Sequence, residues 1–146
     1  MTSIKETLLR RWLGEVWCQG DMDLIGRICA SDAVLDCDIL TDEPGQNDLK
    51  VMITALRSLA SEIDFRLTHV IEEGNLIAGR HIYMIKGHGS DEVFETHGQT
   101  ILRVEDGLIR EVQISFDFLR LFEKLGQIPP DALPICMTGQ RLRWDD

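Results

Sequence analysis

Positive charge is scarce in this sequence. It contains 15 Lys and Arg residues against 25 Asp and Glu residues, a formal net charge of -10 at pH 7. Its longest run of basic residues is Arg10-Arg11. A surface of this sign repels phosphate backbones and anionic lipid headgroups. We therefore predict that neither nucleic acid nor a membrane is a partner.

Long hydrophobic runs are also absent. No stretch approaches the roughly 18 to 20 apolar residues that cross a bilayer. The N-terminal segment MTSIKETLLRRWLGEVW mixes charged and apolar residues, and it lacks the apolar core of a signal peptide. Hydrophobic residues still make up 44% of the chain, without low-complexity segments, which indicates a folded domain rather than disorder. These features predict a soluble, cytoplasmic protein.

Metal-binding and redox motifs are missing as well. The four cysteines, Cys18, Cys29, Cys37 and Cys136, form no CxxC pair and have no ligand-like spacing to histidine. Zinc sites and thioredoxin-type chemistry depend on such spacing. We interpret the cysteines as reduced thiols, mostly buried, and expect no metal site and no cofactor.

Three helices are predicted in the first half of the chain. Ser3 to Glu6 is a capping-box pattern, and apolar residues then recur at helical spacing up to Gly20. Asp21 is suited to cap a second, shorter helix. A third helix follows the turn around Pro44-Gly45, with Asn47 or Asp48 as its N-cap.

Strands dominate the second half. Residues rich in β-branched and aromatic side chains predict strands at 33–39, 63–72, 76–86, 93–104 and 108–116. Three short glycine-containing turns separate the last four strands, which favours antiparallel hairpins. A short helix from Phe118 ends at Gly126. The predicted class is α+β, with the helices packed on one face of a mostly antiparallel sheet.

The order of these elements resembles the SnoaL-like branch of the nuclear transport factor 2-like superfamily. The resemblance covers roughly residues 4–128, through Trp17 to Asp23, Ile101 to Ile109 and Phe118 to Gly126. It implies a strongly curved sheet wrapped around N-terminal helices as a cone with an internal pocket for a small hydrophobic or amphipathic molecule. The expected domain is 1–128, followed by a tail at 129–146 that packs on the domain or a partner subunit. It also implies a homodimer through the outer face of the sheet.

The histidine and aspartate used by the family's polyketide cyclases have no counterpart. Aligned without gaps, their positions fall on Thr100 and Ile114. An aldol closure needs a proton acceptor and a proton donor that titrate near the working pH, and neither side chain does so. The cyclase reaction is therefore not expected.

Other activities of the superfamily are each matched only in part. An isomerase-like base could be Asp36 or Asp38, because burial in a cone raises the pKa of a carboxylate. An epoxide hydrolase-like relay would use Arg80, but Ile82 occupies the aspartate position. A dehydratase-like set would combine His69, His81 and Asp36.

The resulting hypotheses fall into different classes. A cofactor-free lyase or isomerase would use Asp36 or Asp38 as its base, with His69 as partner, because His69 alternates in phase with Phe65 and Leu67. A non-catalytic ligand carrier or sensor is the alternative, and a dimerisation module without ligand is a third. The predicted pocket-lining residues are Trp17, Arg80, Thr100, Val112, Ile114 and Phe116.

Overall fold

A computed structural model describes residues 1–37 and 45–143. Contacts divide the chain into two compact units, Met1–Phe116 and Asp117–Asp146. The boundary expected at residue 128 stays a prediction. No helix within the described residues is both long and apolar enough to cross a membrane.

The first unit begins with helices and continues as a sheet. Its helices are α1 (Ile4–Arg11), a π-helical continuation (Trp12–Cys18), α2 (Met22–Ile28) and α3 (Gln46–Ser58). Its strands are β1 (Cys29–Cys37), β2 (Ala60–Glu73), β3 (Leu76–Gly87), β4 (Val93–Glu105) and β5 (Leu108–Phe116). This is the predicted α+β class, and the last four strands lie close to their predicted ranges.

The predicted caps of the first two helices are confirmed. The Ser3 hydroxyl accepts a hydrogen bond from the Glu6 amide at 3.0 Å, and Asp21 accepts one from the Leu24 amide at 3.3 Å. Each cap satisfies an amide that has no partner within its own helix. Gly20 separates the two helices with a φ of +74°, a conformation that glycine adopts without strain.

The continuation of α1 is a π-helix, which the periodicity did not predict. The Gln19 amide donates to the Gly14 carbonyl, five residues back, at 2.9 Å. Gly14 also permits close packing on β2, because a Cβ there would lie 2.8 Å from Cε1 of Phe65. π-Helical turns are rare and occur often at functional sites.

The predicted cap of α3 is wrong by two or three residues. The helix begins at Gln46 with Gly45 as its N-cap, and Asp48 accepts a hydrogen bond from the Gly45 amide at 2.9 Å. The predicted strand at 33–39 begins earlier, at Cys29, directly after α2. Its predicted end and the turn before Gly45 lie outside the described residues.

The five strands form one sheet in the order β1-β5-β4-β3-β2. β1 pairs with β5 in parallel, whereas the other pairs are antiparallel. We call the face that carries Gly79 the inner face, because Leu9 of α1 packs there; a Cβ on Gly79 would lie 2.7 Å from a Leu9 methyl carbon. The opposite face is the outer face.

A large apolar core lies between the helices and the inner face. It includes fully buried residues from both layers: Leu9, Trp12, Leu13, Leu24, Ile25, Leu49, Ile53, Ile77, Leu102 and Ile109. Along β4 burial alternates residue by residue, so Thr96, Gly98 and Thr100 face inward. The helices therefore hold the inner face of β3 and β4 away from solvent.

The second unit consists of two short helices, α4 (Phe118–Lys124) and α5 (Ala132–Met137). Asp117 caps α4 by accepting from the Arg120 amide at 3.0 Å. The helix ends at Lys124 with Leu125 as its C-cap, and the glycine predicted to close it, Gly126, follows with a φ of +78°. The packing expected for the tail stays a prediction.

Candidate functional site

Polar side chains are rare among the buried residues of the first unit in its described ranges, 1–37 and 45–116. The buried polar residues are His81 on β3 and Thr96 and Thr100 on β4, with 1%, 0% and 1% of their surface exposed. All three lie on the inner face. Together with the buried Trp12 of the π-helical segment, we call them the inner polar cluster.

The centre of the cluster is a hydrogen bond between His81 and Thr100. Nε2 of His81 lies 3.0 Å from the Thr100 hydroxyl oxygen. The two residues occupy diagonal positions, because His81 pairs with Gly98 and Thr100 pairs with Gly79. Both direct partners are glycines, so no side chain stands between the imidazole and the hydroxyl.

Because Gly98 has no side chain, the rings of His81 and Phe116 can both lie against β4. A Cβ at this position would lie 3.1 Å from His81 Cε1 and 3.1 Å from Phe116 Cδ2. The ring of Tyr83 packs against both the His81 ring and the Phe116 ring. Its ring centroid is 5.0 Å from that of His81 and 5.6 Å from that of Phe116, both in edge-to-face geometry. Such aromatic pairs fix ring orientation as well as adding stability.

Burial keeps the ionisable groups of this region uncharged. Desolvation, and secondarily the charge of Arg80, lowers the pKa of His81 to about 4. The imidazole is therefore neutral near pH 7, where it can donate or accept a hydrogen bond but is a weak base. Desolvation likewise raises the pKa of the nearby Cys18 thiol to about 12, so Cys18 is not an activated nucleophile.

Three polar atoms of the inner polar cluster have no hydrogen-bond partner. They are Nε1 of Trp12, Nδ1 of His81 and Oγ1 of Thr96. A buried polar atom without a partner costs about 1 to 3 kcal/mol. Thr96 pairs directly with Tyr83 in the sheet, which places it diagonally across from His81. Trp12 lies on the helical segment between Leu9, which contacts Gly79, and Gly14, which contacts Phe65.

The structure places the predicted pocket residues of the last two strands on the inner face. Thr100, Val112 and Ile114 are buried, and Phe116 is half-buried. Trp17, at the end of the π-helical segment, is also half-buried. That these side chains line a ligand pocket stays a prediction.

The predicted placements of His69 and Arg80 are wrong. A β-bulge between Leu67 and His69 shifts the register of β2 against β3, with Leu67 opposite His81 and His69 opposite Arg80. The extra residue, Thr68, turns His69 outward, where it is exposed. Arg80 is half-buried on the outer face, because its neighbour His81 occupies the inner face.

Asp36, one of the two carboxylates proposed as bases, is not part of the inner polar cluster. Asp36 is exposed between the buried Leu35 and Cys37, so its carboxylate lies on the outer face. Asp38 falls outside the described residues. The dehydratase-like set is therefore not assembled, since His81 faces inward while His69 and Asp36 face outward.

Thr96 and Trp12 are the residues of the cluster that the sequence interpretation did not single out as functional. Strand alternation could have found Thr96, because it shares its phase with Thr100 on β4. In the sequence, Trp12 follows the same helical spacing as the other apolar core residues, so no signal distinguishes it as functional. Within residues 1–37 and 45–143 no group of three or more His, Cys, Asp or Glu side chains could hold a metal ion.

Solved structures with this fold come from several bacteria. A polyketide cyclase candidate from Bacillus cereus is 23% identical, with a TM-score of 0.72 over 86% of this chain and 82% of that protein. An epoxide hydrolase of M. tuberculosis is 12% identical, with a TM-score of 0.63 over 95% and 98% of the two chains. A Catenulispora acidiphila protein with a ketosteroid isomerase-like fold is 17% identical, with a TM-score of 0.68 over 87% and 97%.

These likenesses show a shared α+β fold. No curated protein matches the sequence. The sequence profile of the SnoaL-like domain matches residues 9–112, which include the end of α1, the π-helical segment, α2, α3, all but the last residues of the sheet and the whole inner polar cluster. The chain therefore belongs to the SnoaL-like domain family.

Proposed function

We propose that this protein binds a small, largely apolar molecule with a carbonyl oxygen at the inner polar cluster. The observation that carries the proposal is the set of unpartnered polar atoms on Trp12, His81 and Thr96, buried within an apolar core. Native cores rarely retain such atoms without a reason, because their desolvation is costly. A ligand that pairs with them would recover that free energy on binding.

The chemistry of these atoms favours an acceptor on the ligand. The indole Nε1 of Trp12 only donates, and the Thr96 hydroxyl has an unused proton. When the Thr100 hydroxyl donates to Nε2 of His81, the free Nδ1 also carries a proton. A carbonyl oxygen accepts two hydrogen bonds, whereas an alkane or arene accepts none of comparable strength. The neighbouring Tyr83 and Phe116 rings suit an apolar body.

A carrier or sensor is the better supported class. Acid–base catalysis needs a base that titrates near the working pH. The low pKa of His81 makes its imidazole a weak base, and no Asp or Glu is among the buried residues of the first unit within the described part of the chain. Retention of a neutral ligand requires no such base.

A cofactor-free lyase or isomerase is the second candidate, favoured by the neutral state of His81. A neutral imidazole can polarise a substrate carbonyl, as in isomerases that stabilise an enolate. The similar structures named as a polyketide cyclase candidate and an epoxide hydrolase are consistent with oxygen-bearing substrates, although fold alone carries little weight. Of the two aspartates that the sequence offers as the catalytic base, Asp36 is exposed on the outer face, so Asp38 is the candidate base.

The test compares two probes of similar shape that differ in one acceptor. Calorimetric titration with 2-acetylnaphthalene and with 2-isopropylnaphthalene measures the contribution of the carbonyl. We expect the ketone to bind about tenfold more tightly, which corresponds to roughly one recovered hydrogen bond. Trp12→Phe and Thr96→Val should each remove most of this difference.

Thr54→Val is the matched control, because Thr54 is an exposed threonine on α3 whose hydroxyl donates to the Lys50 carbonyl. It should leave the difference between the probes intact. Equal affinities for the two probes in the wild-type protein would refute the proposal. Chemical conversion of the ketone that is lost in Asp38→Asn would instead establish the second candidate.

A further inference from the structure

Tyr83 lies beside the inner polar cluster and is the only tyrosine of the chain. It follows His81 by two residues on β3, so both side chains point to the inner face. Phe65 of β2 pairs with it on one side and Thr96 of β4 on the other. Its ring centroid lies 5.0 Å from that of His81, which places the phenol next to the proposed carbonyl site.

The hydroxyl of Tyr83 has no hydrogen-bond partner in the described part of the chain. Only 5% of the residue is exposed, and a buried tyrosine usually finds a hydrogen-bond partner for its hydroxyl. Burial, and secondarily the neighbouring Cys18, raises the pKa of Tyr83 well above its ordinary value of 10.0. The hydroxyl therefore keeps its proton at neutral pH and can both donate and accept a hydrogen bond.

This hydroxyl differs from the polar atoms of the inner polar cluster in its access to small molecules. Nε1 of Trp12, Nδ1 of His81 and Oγ1 of Thr96 are fully enclosed as well as unpartnered. The Tyr83 hydroxyl oxygen is unpartnered but not enclosed, so it contributes to the 5% of the residue that remains exposed. Tyr83 therefore lies at the more accessible end of the site, and the cluster lies at the enclosed end.

Ring packing fixes the position of this hydroxyl. The Tyr83 ring contacts the rings of His81 and Phe116 in edge-to-face geometry, with interplanar angles of 64° and 66°. The hydroxyl oxygen lies on the axis about which a tyrosine ring turns, so rotation of the ring leaves it in place. A donor held in this way loses little conformational entropy when a ligand binds.

We propose that the Tyr83 hydroxyl is a second polar anchor of the site and that the ligand carries two oxygen functions. Its carbonyl oxygen binds the inner polar cluster, and a hydroxyl or second carbonyl group binds Tyr83 at the accessible end. This inference rests on the proposed function, because the carbonyl end sets the direction in which the ligand lies. A ligand with an alkyl group in place of the second oxygen leaves the phenol unpaired, and a site of this kind discriminates against it.

Two ketones of similar shape measure the contribution of the second oxygen. In 4-hydroxy-1-tetralone and 4-methyl-1-tetralone the bicyclic ketone is the same, and a hydroxyl group in one replaces a methyl group in the other. Both are titrated as single enantiomers, because carbon 4 is a stereocentre. We expect the better-bound enantiomer of the hydroxy compound to bind the wild-type protein about tenfold more tightly than the methyl compound, which corresponds to one additional hydrogen bond.

Two variants assign the two ends of the ligand. Tyr83→Phe removes only the hydroxyl, so it should abolish the preference for the hydroxy compound and leave the affinity for 4-methyl-1-tetralone within about twofold of the wild-type value. Thr96→Val acts at the carbonyl end, so it should weaken both tetralones to a similar extent and preserve the preference. A general loss of packing in Tyr83→Phe would instead lower both affinities together.

A spectroscopic measurement on the wild-type protein needs no variant. Because Tyr83 is the only tyrosine, a ¹³C label at tyrosine Cζ gives a single resonance from this residue. We expect this resonance to shift on saturation with 4-hydroxy-1-tetralone, because the attached hydroxyl gains a partner. It should shift much less with 4-methyl-1-tetralone.

Equal affinities for the two tetralones in the wild-type protein, or a preference that persists in Tyr83→Phe, would overturn this inference. So would binding of neither tetralone at millimolar concentration. These results leave the proposed function standing if 2-acetylnaphthalene still binds more tightly than 2-isopropylnaphthalene. Equal affinities for the two naphthalenes would refute the proposed function and this inference together.

Discussion

Thr96 and Thr100 are two buried threonines on the same strand and face that differ in their hydrogen bonding. Thr100 bonds His81, whereas Oγ1 of Thr96 has no partner. We expect Thr96→Val to raise the free energy of unfolding by about 1 kcal/mol, because valine has nearly the same shape and removes an unsatisfied hydroxyl. Thr100→Val should lower it by about 1 to 3 kcal/mol, because it leaves Nε2 of His81 unpaired.

Urea unfolding of the two variants and the wild-type protein measures this contrast. Each variant controls for the other, since both replace a buried threonine with valine on the inner face of β4. Destabilisation of similar size in both would contradict the assignment of Thr96 as the unpaired member. A Thr96→Val protein that is more stable but binds the ketone probe less tightly would indicate that stability is given up for binding.

His81 should make stability depend on pH. Its pKa is lowered from the ordinary 6.5 to about 4 by burial and then by Arg80. Between these values the unfolded chain binds a proton at His81 and the folded chain does not. The free energy of unfolding therefore falls as the pH drops from about 6.5 toward 4, by up to about 3 kcal/mol from this residue.

Urea unfolding between pH 4 and pH 7 tests the effect of His81. Carboxylates titrate in the same range, so the informative quantity is the difference between wild type and His81→Asn. That difference should change with pH, with the wild-type protein losing more stability on acidification. His97→Asn replaces an exposed histidine on β4 and serves as the control. Parallel pH profiles for wild type and His81→Asn would rule out a buried, neutral His81.

At the scale of secondary-structure elements, β4 depends on glycine at position 98. A Cβ there would lie 2.6 Å from the Ser115 carbonyl oxygen, which is backbone of β5 and cannot rotate away. We expect Gly98→Ala to destabilise the protein by about 1 to 3 kcal/mol through this overlap. It should also displace the His81 and Phe116 rings and weaken binding of the ketone probe.

Gly26→Ala in α2 is the comparison for Gly98→Ala. Its nearest neighbour would be Oε1 of Gln46 at 3.7 Å, an ordinary contact, and alanine favours a helix over glycine by up to about 1 kcal/mol. Thermal unfolding should therefore show opposite shifts for the two glycine substitutions. A Gly98→Ala protein as stable as wild type would mean that β4 and β5 are less tightly packed than described.

The elements themselves could largely be predicted from sequence, because local signals define them. Ser3 and Asp21 marked helix starts, and the glycine turns marked the hairpins. The bulge at Thr68 and the π-helical turn had no such signal. Both depend on how strands and helix pack in three dimensions, as in the contact of Gly14 with Phe65.

At the scale of the whole molecule, these local irregularities decide which residues can form a site. The fold and family followed from the order of elements, and the inward position of Thr100 followed from alternation along β4. One extra residue in β2 moved His69 to the outer face, opposite Arg80. The sequence therefore predicted the inward position of Thr100 and could not predict that His81, rather than His69, is the interior histidine.

The proposed function requires that the inner polar cluster offers unpaired donors to a carbonyl ligand. The most direct measurement is the indole N–H resonance of Trp12 in ¹H–¹⁵N spectra, assigned by its loss in Trp12→Phe. We predict that 2-acetylnaphthalene shifts this resonance downfield as Nε1 gains an acceptor, while 2-isopropylnaphthalene does not. An unchanged resonance at saturating ketone, or the same shift with both probes, would contradict the claim.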